Sequence, residues 1–360
     1  MKKIYTALGT MSGTSMDGID ASIIQSDGET EYKVIVDKYF EYPKDIHKNL
    51  TNIRDKIKSF KDLKKFSKEI KNIEKEITLF HSKAVDQTLR KTKVNVDFLG
   101  FHGQTIYHNA KEKISKQLGD GKLLSQLTKK NVIFNFREND LKNGGQGAPL
   151  TPIFHKVLKK KINVKNVTFI NIGGIINETT ILDGGHFHAS DIGPGMCFVD
   201  KWMRTHSKKK YDMNGDVARS GKVNKQVLEQ YFIPNKKSYD ISDFDISFAK
   251  GLSLEDGAAT LIELTVQTLA EKLINLMKGL ISDHRLILCG GGRKNNFLVE
   301  RMHEHIPMTQ LIDNFGIDGD FIESQAFAYL AIRSYLKLPI SFPETTGCLK
   351  VCTGGEIINF

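Results

Sequence analysis

The pattern that most restricts how this chain can fold is a strand, a turn of small residues and a second strand, and it occurs twice. In the first copy the apolar run Ile4 to Leu8 leads into Gly9-Thr10-Met11-Ser12-Gly13-Thr14-Ser15-Met16-Asp17-Gly18-Ile19-Asp20 and on into Ala21-Ser22-Ile23-Ile24. The second copy is Val167 to Ile172, then Gly173-Gly174, then Ile175 to Ile181. Glycine lets backbone come close to a ligand, and Ser and Thr hydroxyls add donors beside the N–H groups. Such a turn suits an anion, a phosphate tail above all; an ordinary Gly/Ser hairpin has the same composition. Two of them, one in each half of the chain, suit a phosphate chain gripped from both sides.

A third glycine cluster, Cys289-Gly290-Gly291-Gly292, ends the strand Arg285 to Cys289 and precedes a helix over Phe297 to His303. Backbone there can approach a purine or ribose, and a helix N-terminus favours anions. None of the three matches a Walker A loop or a dinucleotide fingerprint. Their order along the chain favours a nucleotide clamp over three unrelated turns.

Between these clusters the periodicity alternates. Lys44 to Lys91 reads as helix, with Leu63, Phe66, Ile70, Ile73 and Ile77 at helical spacing and neither Pro nor Gly after Pro43. Val94 to Gly100 reads as a buried strand that ends in Phe101-His102-Gly103-Gln104-Thr105, and Val132 to Phe136 as another. Ala258 to Leu280 reads as an amphipathic helix with Leu261, Leu264, Leu269 and Leu273 along one side. Strands alternating with helices imply an α/β fold with substantial parallel pairing.

The 360 residues are enough for two domains, and a hydrophobic content of 40% supports a core in each. The net charge of +10 raises nucleic-acid binding. However, the lysines are scattered, those between Lys61 and Lys71 are mixed with acids, and no aromatic interleaving builds a stacking platform. Solvated helix faces account for them. No apolar run approaches the roughly 20 residues that span a bilayer, and Met1-Lys2-Lys3-Ile4-Tyr5 does not open a secretory signal. Cys197, Cys289, Cys348 and Cys352 lack paired zinc spacing and read as free thiols, so a reducing cytoplasm is the expectation.

Several polar residues have chemistry to offer. Asp191 leads Asp-Ile-Gly-Pro-Gly, where a turn would leave its carboxylate reachable as a base; capping the next turn is the alternative. Glu323 opens a helix through Phe327 and Leu330, an ordinary place for a dipole partner. His102 and His108 lack a third metal ligand at a telling spacing. Arg137 and Asp140 precede the Gly144-Gly145-Gln146-Gly147 turn, as exposed loop charges or as a carboxylate contact. The single tryptophan, Trp202, reads as core.

Leu8 to Asp20 resembles the opening signature of the anhydro-N-acetylmuramic acid kinases. The resemblance continues through His102-Gly103-Gln104-Thr105-Ile106-Tyr107-His108, Asn143 to Leu150, Asn171-Ile172-Gly173-Gly174, Asp191 to Gly195, Cys289 to Gly292 and Glu323 to Ala328, in family order. It implies the actin-like ATPase and sugar kinase fold, two RNase H-like domains with an ATP cleft between them. The N-terminal domain is then 1–135, completed by 346–360, and the C-terminal domain is 136–345. The reaction it implies opens the 1,6-anhydro bridge with water and moves the γ-phosphoryl group of ATP to the freed 6-oxygen, in peptidoglycan recycling. Asp191 is then the base. ATP falls to Ser12, Gly13, Thr14, Ser15, Met16, Asp17, Gly18, Ile19, Gly173, Gly174, Gly291 and Gly292. The sugar falls to His102, Arg137 and Glu323. Mg2+ is expected, with Asp17 and Asp191 as candidates and its ligands undetermined. The partners implied are small molecules, with neither nucleic acid nor membrane, and a homodimer is left open.

Three departures stand out. Asp191-Ile192-Gly193-Pro194-Gly195-Met196 stands where the family has Asp-Thr-Gly-Pro-Gly-Asn. Pro234 to Asp240 matches a family motif poorly, and Met11 occupies the place where many superfamily members carry a metal-holding Asp. Two other readings therefore stay open: a kinase of another sugar, in which Asp191 deprotonates a hydroxyl, and a non-catalytic nucleotide-gated actin-like protein.

Overall fold

The first apolar run forms β1 (Tyr5–Ser12), buried along nearly its whole length as a central strand must be. It turns into β2 (Gly18–Ser26) and then β3 (Tyr32–Glu41), a half-exposed edge strand. The helical region of the sequence divides into α1 (Lys44–Lys56), α2 (Phe60–Lys65) and α3 (Ser67–Thr92). Along α3, Ile70, Ile73, Ile77, His81, Ala84, Val85 and Thr88 recur at helical spacing and face the interior. β4 (Phe98–Asn109), β5 (Ile114–Leu118), α4 (Gly121–Thr128), β6 (Asn131–Phe134), α5 (Glu138–Lys142) and α6 (Pro152–Ile162) follow.

The middle of the chain holds β7 (Asn166–Ile172), β8 (Ile175–Ile181), β9 (Phe187–Pro194), α7 (Cys197–His206), α8 (Asp216–Ser220) and α9 (Lys225–Gln230). After these come α10 (Leu254–Met277), β10 (His284–Cys289), α11 (Asn296–His305) and β11 (Thr309–Leu311). The last segment holds α12 (Ile322–Tyr335), α13 (Pro343–Thr346) and β12 (Glu356–Ile358). This computed structural model describes residues 2–13, 15–231, 233, 239, 241–277 and 283–360. Residues 278–280 of the expected helix, Thr14 and most of 234–240 lie outside the described residues.

The chain forms two compact units, residues 1–161 with 321–360 and residues 162–320. The sheet of the first runs β12-β6-β4-β1-β2-β3, with β5 paired to β4. Its β1, β2 and β3 are an antiparallel meander, and β4 and β6 run parallel to β1 on the other side. The sheet of the second runs β11-β10-β7-β8-β9: again an antiparallel meander, β7 to β9, with β10 and β11 parallel to its first strand. Both are the RNase H-like order, so the repeated strand–turn–strand marks a repeated unit.

The units divide elsewhere than at 135 and 345. α5, most of α6 and α12 belong to the first unit. The buried Asp140 on α5 accepts the Gly147 N–H at 2.6 Å and the Thr346 hydroxyl at 2.5 Å, tying α5 to the C-terminal segment. α12 lies on β1 and β4 where Gly9 and Gly100 pair in register. An added Cβ at Gly9 would stand 2.1 Å from the Ser324 carbonyl oxygen, and one at Gly100 2.2 Å from that of Phe327. The helix touches the sheet backbone directly, which no larger residue permits.

In the second unit α7 and α10 cover the core. Trp202 is fully buried, and its Nε1 donates to the Leu254 carbonyl at 2.9 Å. The ring packs so closely on α10 that a Cβ at Gly257 would stand 2.1 Å from it. No helix among the described residues is long and apolar enough to cross a membrane. All four cysteines are free and buried.

Three histidines of the first unit are buried. Burial holds His81 and His155 down to about 3, and burial together with the Arg137 cation holds His102 well below its ordinary value. The unfolded chain therefore binds protons near pH 6.5 that the folded chain refuses. The stability at stake is fully present above that pH and is lost as pH falls toward the folded values. Each such histidine gives a slope of up to about 1.4 kcal/mol per pH unit, so about 4 for the three. Guanidinium unfolding at pH 7, 6 and 5 should show stability falling steeply with acid; a flat profile contradicts neutral burial.

Candidate active-site residues in each unit

The turn between β1 and β2 is fixed from beneath. The Ser12 hydroxyl is buried, 2.9 Å from the Gly18 carbonyl and 2.5 Å from Gln104 Oε1, and accepts the Tyr42 phenol at 3.1 Å. Gln104 Nε2 donates to the Gly13 carbonyl at 3.1 Å. Gln104 and Tyr42 carry this support, and only the nearness of Gln104 to His102-Gly103 in the sequence hinted at it. Met16 and Ile19 put their side chains in the core, and Met16 takes a left-handed backbone, φ 57°. Gly18 is required by packing, since a Cβ would stand 2.5 Å from the Phe40 carbonyl. The turn thus offers a ligand the backbone of Gly13 and the side chains of Ser15 and Asp17, which hydrogen-bond at 2.6 Å. Thr14 belongs to the same expectation but lies outside the described residues.

Its counterpart in the second unit is Gly173-Gly174 between β7 and β8. Here the carbonyls are committed: Gly174 accepts from Gly195 N at 2.9 Å and Gly173 from Met196 N at 2.9 Å. The turn is thereby stitched to the end of β9 and the start of α7. Asp191 lies on β9 itself, not in a turn, opposite Asn177 on β8. The register shifts beside this pair, so Ile192 is the extra residue of a bulge. Its side chain joins the core, so an apolar residue replaces the family's threonine there without exposing anything to solvent. The Asp191 carboxylate is half-buried, and the Tyr239 N–H donates to its Oδ2 at 3.0 Å.

In the glycine cluster after β10 only Gly291 is open, with nothing within 4 Å of an added Cβ. Gly292 is closed, 2.3 Å from Ile172 Cγ2. Arg293 pins the segment: it donates to the Gly290 carbonyl at 3.1 Å, holds Asp313 through two nitrogens and reaches Asp320 at 2.6 Å.

Three of the expected site residues come together in the first unit. His102 is on β4, because the motif expected as a strand end continues the strand and pairs with β5. Its Nδ1 meets the Gly103 carbonyl at 2.9 Å, its Nε2 accepts from Arg137 Nε at 3.1 Å and Nη2 at 2.9 Å, and its ring lies on Phe327. Both nitrogens are occupied, so His102 is a neutral prop for Arg137. Arg137 Nη1 also donates to the Gly147 carbonyl at 2.8 Å. Burial brings the guanidinium down to about 10, against the pull of Glu323 and Asp140, so it stays charged at neutral pH. Glu323, in the first turn of α12, is pushed above the usual carboxylate range by burial, and Arg137 draws it part of the way back. His108 Nδ1 lies 2.9 Å from Ser115 Oγ, beside the Gly147 residue whose carbonyl receives Arg137. Cys348 and Cys352, well separated from Asp140 in sequence, lie beside its carboxylate, the three ligand atoms within 4.8 Å of one another.

Two RNase H-like units, each opening with a glycine-bearing turn, define the class of actin-like ATPases and sugar kinases. Within that class the chain belongs to the anhydro-N-acetylmuramic acid kinase family, whose model matches residues 5–359. It is 51% identical to the anhydro-N-acetylmuramic acid kinase of Pelagibacter ubique (strain HTCC1062) over the whole of both chains. It is 35% identical to the Agrobacterium fabrum enzyme of that name, again over the whole of both. A solved structure, component A of (R)-2-hydroxyglutaryl-CoA dehydratase from Acidaminococcus fermentans, aligns with a TM-score of 0.45 at 12% identity, over 92% of this chain and 100% of that one.

The open and closed glycines separate experimentally. Gly13→Val and Gly291→Val should melt within a few degrees of the parent, since ~1 kcal/mol moves a unit of this size by roughly 2–4 °C. Both should weaken ATP binding at least about tenfold in calorimetric titration, Gly13→Val by disturbing a charge-assisted hydrogen bond to phosphate and Gly291→Val by crowding the adenosine. Gly292→Val should instead lower the melting temperature markedly. Parent-like ATP affinity in the first two variants removes these glycines from the nucleotide site.

Proposed function

We propose that this chain opens 1,6-anhydro-N-acetylmuramic acid with water and phosphorylates its 6-oxygen from ATP, giving N-acetylmuramic acid 6-phosphate and ADP. The observation that carries this reading is the family match over residues 5–359. Asp191 takes a proton from water as the water oxygen bonds to the anomeric carbon. The bond from that carbon to the 6-oxygen breaks, and the 6-oxygen takes the γ-phosphoryl group. A half-buried carboxylate with one oxygen oriented by a backbone N–H suits the base.

In the first unit the phosphate contacts are the exposed Ser15 and the Gly13 backbone, with Asp17 serving through a cation, and in the second unit they are Gly173 and Gly174. Gly291 admits the adenosine. Arg137 takes the lactyl carboxylate of the sugar with its remaining N–H groups, propped by His102. Glu323, pushed up by burial and drawn part of the way back by Arg137, offers its carboxyl oxygens to the sugar. Magnesium would find a hard oxygen donor in either unit, at Asp17, exposed in its turn, or at Asp191, half-buried on β9. When bound it neutralises phosphoryl oxygens.

Asp191→Asn should keep ATP affinity and lower turnover by ~10²–10⁴, the range for a general base. Parent-like turnover excludes Asp191 from the mechanism. ADP release should be slow without sugar, strongly stimulated by anhydro-N-acetylmuramic acid and little by free N-acetylmuramic acid, which has no bridge to open. Equal stimulation by the two sugars points instead to an ordinary hydroxyl kinase.

A further inference from the structure

Asp140 takes no part in the chemistry above, yet it is completely buried and fully engaged. Oδ2 accepts the Gly147 N–H at 2.6 Å, and Oδ1 accepts the Thr346 hydroxyl at 2.5 Å. The Gly147 residue faces two ways: its N–H is held by Asp140 and its carbonyl receives Arg137 Nη1 at 2.8 Å. Its φ is +75°, and an added Cβ would stand 3.0 Å from Leu141 and 3.1 Å from His108 Cε1, so glycine is required there. At Gly145 a Cβ would stand 2.2 Å from Asp140 Oδ2, so the loop wraps tightly round the carboxylate. The C-terminal segment closes the clamp, with Gln146 N donating to the Thr346 carbonyl at 2.8 Å and Leu349 N to that of Asn143 at 3.0 Å. The neighbouring thiols of Cys348 and Cys352 are both raised by burial, Cys352 to about 11, and stay neutral beside the carboxylate. With both oxygens committed to the loop and to Thr346, Asp140 is built as an anchor rather than as a metal ligand.

We propose that Asp140 is a positioning residue for sugar recognition: through the Gly147 residue it fixes where the Arg137 guanidinium stands, and so sets selectivity for a sugar that carries the lactyl carboxylate. His102 holds two guanidinium nitrogens and the Gly147 carbonyl the third, so a loop that slips takes away one of the three supports that orient the fork. This rests on the reading of Arg137 as the contact to that carboxylate.

The test compares Arg137→Ala, Asp140→Asn and Thr346→Val with the parent. The readouts are kcat, KM for ATP, KM for anhydro-N-acetylmuramic acid, and the inhibition constant of 1,6-anhydro-N-acetylglucosamine, which lacks the lactyl group. Loss of a charge-assisted contact predicts that Arg137→Ala raises the acidic sugar's KM by roughly 30-fold, Asp140→Asn by ~10-fold and Thr346→Val by ~3-fold. KM for ATP and inhibition by the lactyl-free sugar should stay near the parent values in all three. If Arg137→Ala behaves thus while Asp140→Asn and Thr346→Val keep the parent KM, Asp140 does not position Arg137. If both sugars weaken equally, Asp140 is a structural residue only, and the proposal is overturned. A parent-like KM in Arg137→Ala overturns the reading of Arg137 itself and the proposal with it. Thr346→Val exchanges the hydroxyl that donates to Asp140 for a methyl group of similar size and carries the test should Asp140→Asn fail to fold.

Discussion

The first unit depends on the direct contact between α12 and the paired glycines of β1 and β4. Hydrophobic burial alone would let a helix ride some 10 Å above a sheet on its side chains. At Gly9 and Gly100 nothing separates the two backbones, and polar pairs fix the helix laterally. Ser324 meets Ser22 at 2.6 Å, Gln325 Nε2 reaches both Asp37 oxygens at 3.0 Å, and Arg333 donates to the Gly28 carbonyl at 2.7 Å. A segment that begins at residue 321 is thereby built into a sheet that begins at residue 5. Glu323 stands one residue before the contact, and Phe327, whose carbonyl crowds Gly100, is the residue on which His102 lies. The contact that closes the core therefore also sets the carboxylate and the prop of the guanidinium.

The second unit uses the same device with different residues. Trp202 presses on Gly257, Gly292 on Ile172, and Gly195 approaches the Gly173 carbonyl so closely that a Cβ would stand 2.3 Å away. These contacts join α10, the loop after β10 and the end of β9 to β7 and α7. Asp191 is carried on β9, between the bulge at Ile192 and the meander, so its position is inherited from strand pairing. That is a stiffer mounting than a turn of glycine and proline, as the proposed base would require.

Much of this was legible in the sequence because it is periodic. The repeated strand–turn–strand, the helix after Pro43 and the helix carrying Leu261 to Leu273 all follow from apolar spacing. The domain limits were not, since Asp140 with Thr346 and Gly9 with Ser324 are contacts between distant segments that no local pattern announces. The glycines were legible as a class but not one by one. Gly13, Gly291, Gly9 and Gly292 look alike in sequence; only the surrounding atoms show that the first two have room and the last two have none. Asp191 and His102 were expected at turns and strand ends, because Gly-rich neighbours signal turns, but pairing with β8 and β5 overrides that local signal. The grouping of His102 with Arg137 followed from family motifs; the atoms that hold them did not.

The charge balance of the Arg137 cluster explains why a histidine sits there at all. A buried guanidinium needs acceptors for its N–H groups, and a second carboxylate in hydrogen-bond contact would neutralise the cation. An imidazole held neutral by burial and by Arg137 itself accepts through Nε2 without adding charge. The Gly147 carbonyl does the same. Glu323 and Asp140 offset the cost of burying the cation through their fields, while the hydrogen bonds come from neutral groups. A guanidinium supported in this way keeps its full charge and its planar fork. Both are what a carboxylate-bearing ligand needs, and an acid in place of His102 would leave the fork but offset the net positive charge that draws such a ligand.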